Sequence, residues 1–310
     1  MELKWLLLTI ALCMALASVP SIQRIFAQAT RRKKQRAADG LTVELSQGET
    51  YYKWFGPPEG QVIVLVPGVV TPCHAYTPFC EALAKEGYRV LTYDHYGRGF
   101  SDYVEGPQPR AFFLTQLQEL LASEGVVEDI VLIGHSVGGC VATAFAAAHP
   151  SRIDRLVLMS TLGLHEPRTP VAAFGSSKNA LHRLWQTMSF AYVARRLMRR
   201  TPDDQRPPKQ VIEARRAQMS RRGFFPSLLE ALRGLISEDF AADHAKLYDQ
   251  NVPIVAIWGE NDTIVPQAAR QRLSEINPVA EQIVLPNRKH DIPFLEPRAL
   301  ARIVIRTLDP

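Results

Sequence analysis

The chain reads as an α/β fold: a mostly parallel sheet of eight strands flanked by helices, with an inserted helical cap and an N-terminal apolar segment. Three observations predict it. Short β-branched apolar runs recur without polar alternation, the pattern of strands buried on both faces. Helix-like segments separate those runs, and such alternation makes a parallel sheet covered on both sides. One run ends in Gly134-His135-Ser136-Val137-Gly138 and passes directly into a small-residue segment, a strand–turn–helix junction built around one hydroxyl.

The N-terminus stands apart from this pattern. Trp5 to Val19 carries no charge, and residues 31–36 read RRKKQR. Residues 1–29 are therefore a membrane or signal segment, and 30–40 a basic linker. Two readings compete. The uncharged run is shorter than the ~20 residues of a full span, as in a signal peptide, and Ala27-Gln28-Ala29 resembles a cleavage site. Against cleavage, only Lys4 and the amino terminus precede the run, while Arg24 and the basic cluster follow it. The positive-inside rule then favours a single-pass anchor with the catalytic part in the cytosol. The alternative is a secreted or periplasmic protein released by cleavage. The basic cluster suits a flexible linker resting on anionic headgroups.

The core begins at Leu41. LTVEL (41–45) and TYYKWF (50–55) form a hairpin through Gly48. Five further runs read as buried strands: VIVLV (62–66), RVLTY (89–93), IVLI (130–133), LVLMS (156–160) and IVAIW (254–258). QIVLP (282–286) completes the set. Helical patterns occupy 76–86, 112–121 and 137–148. The helices 266–276 and 297–308 each open on proline, which suits a first helical turn. The core is thus 41–164 and 244–310.

Residues 165–243 break the rhythm. No strand-like run occurs there, and the pattern is helical with Pro-rich joints. The stretch holds 14 Lys and Arg against 8 Asp and Glu, an excess of six positive charges. It reads as a cap inserted between two core strands. Its basic side is either a solvated face or a surface that meets a membrane or an acidic group.

Composition narrows the chemistry. A net charge of +5 over 310 residues does not call for nucleic acid. The four cysteines form no Cys-x-x-Cys pair and match no zinc spacing, so no metal and no cofactor are expected. Cys73, Cys80 and Cys140 read as small buried hydrophobes.

The junction at Ser136 carries the chemistry. A serine on a sharp strand-to-helix turn is exposed at the carboxyl edge of the sheet, and the flanking glycines let backbone pass close by. The Val137 N–H, at the start of the helix, points where an oxyanion would form. A serine alone is a weak nucleophile and needs a base in the right tautomer. For this elbow the chain order is Ser, then an acid, then His. Asp262 follows the 254–258 strand, and His290 is the one histidine after it. The expected catalytic set is Ser136, His290 and Asp262. Glu260 comes too early in its turn, and Asp102 precedes the serine. The second oxyanion donor should come from the loop after VIVLV: Val69 N–H first, Val70 second. His74, in the same loop, reads as structural or pocket-lining.

These residues resemble the α/β-hydrolase fold family, in particular its capped serine esterases and lipases, among them the monoacylglycerol-lipase-like group. The resemblance runs from about Leu41 to the C-terminus, on GHSVGG (134–139), GENDTIVP (259–266) and NRKHDIPFLEP (287–297). DHYGRGFSD (94–102) is similar to the family's D-x-x-G-x-G-x-S loop, implying that Asp94 ties down local backbone and that Ser101 caps it. One departure stands out: Pro67-Gly68 replaces the usual His-Gly ahead of the oxyanion loop. Serine rather than aspartate at the elbow argues against dehalogenase and epoxide-hydrolase chemistry. The resemblance implies cleavage of a carboxylic ester, lipid-derived or small, through an acyl-enzyme; the N-terminal segment adds the membrane surface as an expected neighbour. Two alternatives stay open: carbon–carbon bond hydrolysis on the same triad, and a low-turnover ligand-binding or sensor protein. The oligomeric state is not legible.

Overall fold

In the computed structural model the described residues are 39–165, 189–196 and 207–308. The anchor expected over 1–29 lies outside them, as does nearly all of the linker at 30–40. No helix among the described residues is long and apolar enough to cross a membrane.

The eight expected strands form one sheet: β1 Leu41–Leu45, β2 Gly48–Phe55, β3 Val62–Val66, β4 Arg89–Tyr93, β5 Ile130–His135, β6 Ile153–Met159, β7 Ile254–Gly259 and β8 Glu281–Leu285. Their spatial order is β1-β2-β4-β3-β5-β6-β7-β8. The β1–β2 and β2–β4 pairs are antiparallel, and every later pair is parallel. The register sets Val66 beside Gly134 and His135 beside Met159, so the ends of β3, β5 and β6 converge at one edge.

Side chains along each central strand point alternately to two apolar layers. Val64, Leu132, Leu156 and Ala256 enter one, together with helices α2 (Arg110–Ser123) and α3 (Val137–Ala148). Ile63, Val131, Val157 and Val255 enter the other, with α1 (Thr77–Ala84). Two-sided burial explains the unbroken apolar runs. It fails at the last strand: Glu281 and Val284 of β8 are exposed, because β8 is a sheet edge. β6 also starts at Ile153, earlier than its apolar run, with exposed Asp154 inside it.

Between β6 and β7 every described element is helical: residues 189–196, α4 (Lys209–Met219), α5 (Phe224–Arg233) and α6 (Ala241–Asp249). This insertion is no separate body. Phe224, Phe225, Leu228 and Phe240 join the same apolar layer as α2 and α3. The chain then closes with α7 (Gln267–Ile276), the short α8 (Ile292–Leu295) and α9 (Pro297–Leu308). Cys73, Cys80 and Cys140 are buried free thiols. Burial pushes the Cys80 and Cys140 thiols up, so both stay protonated.

Candidate active site

Ser136 sits between β5 and α3 with φ +57° and ψ −121°, a conformation that side chains other than glycine rarely adopt. Its neighbours enforce the turn. A Cβ on Gly138 would lie 2.1 Å from the Val66 carbonyl oxygen, so α3 can approach β3 only with glycine there. A Cβ on Gly134 would meet Gly138 and Gly139 at 2.6 Å. The Ser136 N–H donates to the Met159 carbonyl at 3.0 Å, which extends the β5–β6 pairing to the elbow itself.

Asp262 and His290 reach this serine from the loops after β7 and β8. Those loops touch. A Cβ on Gly259 would lie 2.4 Å from the Lys289 carbonyl, and Asn261 N–H donates to the Arg288 carbonyl at 2.7 Å. His290 Nδ1 lies 2.9 Å from Asp262 Oδ2, and His290 Nε2 lies 2.9 Å from Ser136 Oγ. An ionised carboxylate accepts only, so Nδ1 carries the proton and Nε2 accepts from the serine hydroxyl. The other Asp262 oxygen accepts the Ile264 and Val265 N–H groups at 2.8 and 2.9 Å. Burial pushes the Asp262 carboxyl up, but the His290 bond and these N–H donors outweigh it and hold it below its ordinary value.

The rival residues have other tasks. Glu260 accepts the Asn287 N–H at 2.8 Å, and Asp102 accepts the Glu49 N–H at 2.9 Å. His74 is exposed, with its ring 6.1 Å from that of Phe100. Asp94 accepts from Cys73 N–H at 2.7 Å and Phe100 N–H at 2.8 Å, tying two loops together. The Ser101 hydroxyl donates to the Asp94 carbonyl at 2.5 Å and accepts the Tyr51 N–H at 2.9 Å.

The loop at Pro67–Thr71 is anchored through almost everything except two amides. Gly68 N–H donates to Tyr76 Oη at 3.0 Å, and Arg98 Nε donates to the Val69 carbonyl at 3.2 Å. Gln218 Nε2 donates to the Val70 carbonyl at 3.3 Å. The N–H groups of Val69 and Val70 have no partner among the described residues, and neither does that of Val137. His95 Nε2 donates to the Pro67 carbonyl at 2.9 Å, so a histidine from the β4 end steadies the loop that lacks the usual His-Gly.

His135, inside the elbow, escaped the sequence reading. Its Nε2 faces the His290 carbonyl at 3.2 Å and must carry the proton; its Nδ1 therefore accepts from Tyr76 Oη, at 2.7 Å. Burial, aided by the nearby His290, lowers His135 to about 3, so this link stays neutral. A relay of neutral groups thus runs from Gly68 through Tyr76 and His135 to the backbone of His290.

Comparison with known proteins identifies the family and the fold. A family model described as Serine aminopeptidase, S33 (Hydrolase_4) matches residues 57–298. "Lipase 3" of Moraxella sp. (strain TA144) is 25% identical over 240 residues, covering 76% of this chain and 73% of that protein. A 2-hydroxy-6-oxononadienedioate/2-hydroxy-6-oxononatrienedioate hydrolase of Cupriavidus pinatubonensis is 27% identical over 226 residues, 73% of this chain and 78% of its own. Among solved structures, carboxylesterase CesB (YbfK) from Bacillus subtilis superposes with a TM-score of 0.72 at 20% identity, over 87% of this chain and 91% of its own. That structure shares the fold. With the family model spanning most of the chain, across both the elbow and the two loops that meet it, the protein belongs to the Serine aminopeptidase, S33 (Hydrolase_4) family and is a hydrolase of the α/β fold.

Proposed function

We propose that the protein is a serine hydrolase that cleaves a carboxylic ester, lipid-derived or of a small acyl group. The observation that carries this reading is the unbroken chain from Asp262 through His290 to Ser136, with both contacts at 2.9 Å. Ser136 Oγ attacks the ester carbonyl carbon while His290 Nε2 takes its proton. The carbonyl π pair moves onto oxygen, where the Val137 and Val69 N–H groups stabilise it. Collapse expels the alcohol, which leaves with the proton from His290. Water then attacks the acyl-serine by the same route and releases the acid. Asp262 holds the imidazole in its tautomer and stabilises the imidazolium.

A second reading, carbon–carbon bond hydrolysis, is favoured by the similarity to the dienedioate hydrolase of Cupriavidus pinatubonensis. A panel of short and long acyl esters against vinylogous diketones separates the two. The broader test is labelling by a fluorophosphonate probe. Wild type should label, and Ser136→Ala and His290→Ala should not. A folded wild type that fails to label would replace both hydrolase readings with the ligand-binding one. We further propose that residues 1–29 hold the enzyme at a membrane, with the catalytic part in the cytosol. Protease protection of intact membranes carrying a tag at each end tests this against a cleaved, secreted form.

A further inference from the structure

We propose that Arg215, on inserted helix α4, is a positioning residue that locks the candidate oxyanion loop to the loop carrying His290. The inference rests on the serine-hydrolase reading above.

One guanidinium serves two loops that are far apart in sequence. Its Nη1 and Nη2 donate to Asp291 Oδ2 and Oδ1 at 3.0 and 2.6 Å, a bidentate pair on the residue that follows His290. Its Nε donates to Thr71 Oγ1 at 2.7 Å, two residues after Val69. Arg215 and Asp291 keep only 19% and 15% of their side-chain exposure, so solvent screens this pair far less than a surface one. The guanidinium carbon lies 5.3 Å from the Phe294 ring centroid, and that ring packs in turn on Tyr76 and His135. One turn further along α4, Gln218 takes the Gly99 N–H at 2.7 Å and donates to the Val70 carbonyl.

Helix α4 therefore ties the two loops together. A shift of α4 relative to the sheet pulls on Thr71, Val70 and Asp291 together. An oxyanion donor works only within a few tenths of an ångström of its position, and a misplacement of about 1 Å costs on the order of 10²-fold in rate. Lysine cannot replace Arg215, because a point charge on a flexible stem cannot span two carboxylate oxygens and a hydroxyl.

The test uses the full chain, with p-nitrophenyl butyrate for kcat and KM and a fluorophosphonate for the rate of serine labelling. Arg215→Met paired with Asp291→Asn removes both charges, so no buried carboxylate is left alone. Its kcat and labelling rate should fall about 10–100-fold with KM within about 2-fold. Arg215→Lys should recover only part of the loss. Thr71→Val, which cuts only the oxyanion-loop arm, should lower both rates by several-fold, with a small drop in the thermal midpoint from the stranded Arg215 Nε–H. Folded variants with wild-type kcat and labelling overturn the inference. So does a rise in KM at unchanged kcat, which would mark a substrate-binding role. If the double variant does not fold, Thr71→Val decides alone. A wild type inert to both probes overturns the serine-hydrolase reading instead, and the premise goes with it.

Discussion

Ser136 is held at φ +57°, and a conformation of this kind costs roughly 1–3 kcal/mol for a residue with a Cβ. The strain belongs to the elbow and not to the hydroxyl. Ser136→Ala keeps it; Ser136→Gly relieves it. Both variants should lose fluorophosphonate labelling, and the glycine variant should be the more stable of the two by about 1 kcal/mol in urea denaturation. Equal stability would mean that the turn is unstrained. Asp262 can be probed separately. Asp262→Asn preserves shape but removes the acceptor that fixes the His290 tautomer. It should lower kcat by about 10⁴-fold with little change in KM, as measured on a short ester.

At the scale of elements, the site depends on how closely α3 approaches β3 and on how the loops at their ends are tied. Gly138→Ala would drive a methyl group to 2.1 Å from the Val66 oxygen, which backbone cannot yield without moving the helix. Stability and labelling should fall together, whereas Ser136→Ala costs labelling alone. Tyr76→Phe tests the relay beneath the site. It strands the buried Gly68 N–H and leaves His135 Nδ1 without a donor. An orphaned buried donor costs about 1–3 kcal/mol, and the urea midpoint should drop accordingly. The element pattern was readable because the central strands repeat one simple signal, a short apolar run. The exposed face of β8 was not readable, because edge position is a property of the sheet and not of the segment.

For the whole molecule, acid is the natural probe. Burial lowers His95 and His135 to about 3 and His244 to about 4, against an ordinary 6.5. The unfolded chain binds these protons at higher pH than the folded one does, so stability falls as pH drops from about 6.5 towards 4. Each such histidine costs about 2 kcal/mol by pH 5. Asp262 and Asp291 are both held below the usual carboxylate range, the latter because Arg215 outweighs the effect of its burial. They stabilise the fold above their unfolded value, and that contribution is lost at still lower pH, as the folded groups take up protons. The melting temperature should therefore begin to fall near pH 6.5, well before carboxylates titrate. His244→Leu removes one of the three histidines and should flatten the slope by about a third. A stability flat between pH 6.5 and 4.5 would contradict the buried neutral state of these rings.

The sequence by itself determined the strand set, the elbow and the order Ser136, Asp262, His290. Each of these is written in short local patterns: an apolar run, three glycines around a hydroxyl, an acid just past one strand and a histidine just past the next. It also marked the insertion by its lack of strands. Only the tertiary structure decided which residues one of the insertion's charges, Arg215, meets. Arg215 is one of 14 basic residues in that stretch, and nothing in its neighbours distinguishes it. Its partners, Thr71 and Asp291, lie 144 and 76 residues away. His135 likewise looks like filler within the elbow until Tyr76 and the His290 carbonyl stand beside it. Periodicity and turn chemistry act over a few residues and are legible in one dimension. Hydrogen bonds and ion pairs that join distant loops depend on where the sheet brings those loops together, and only the fold supplies that.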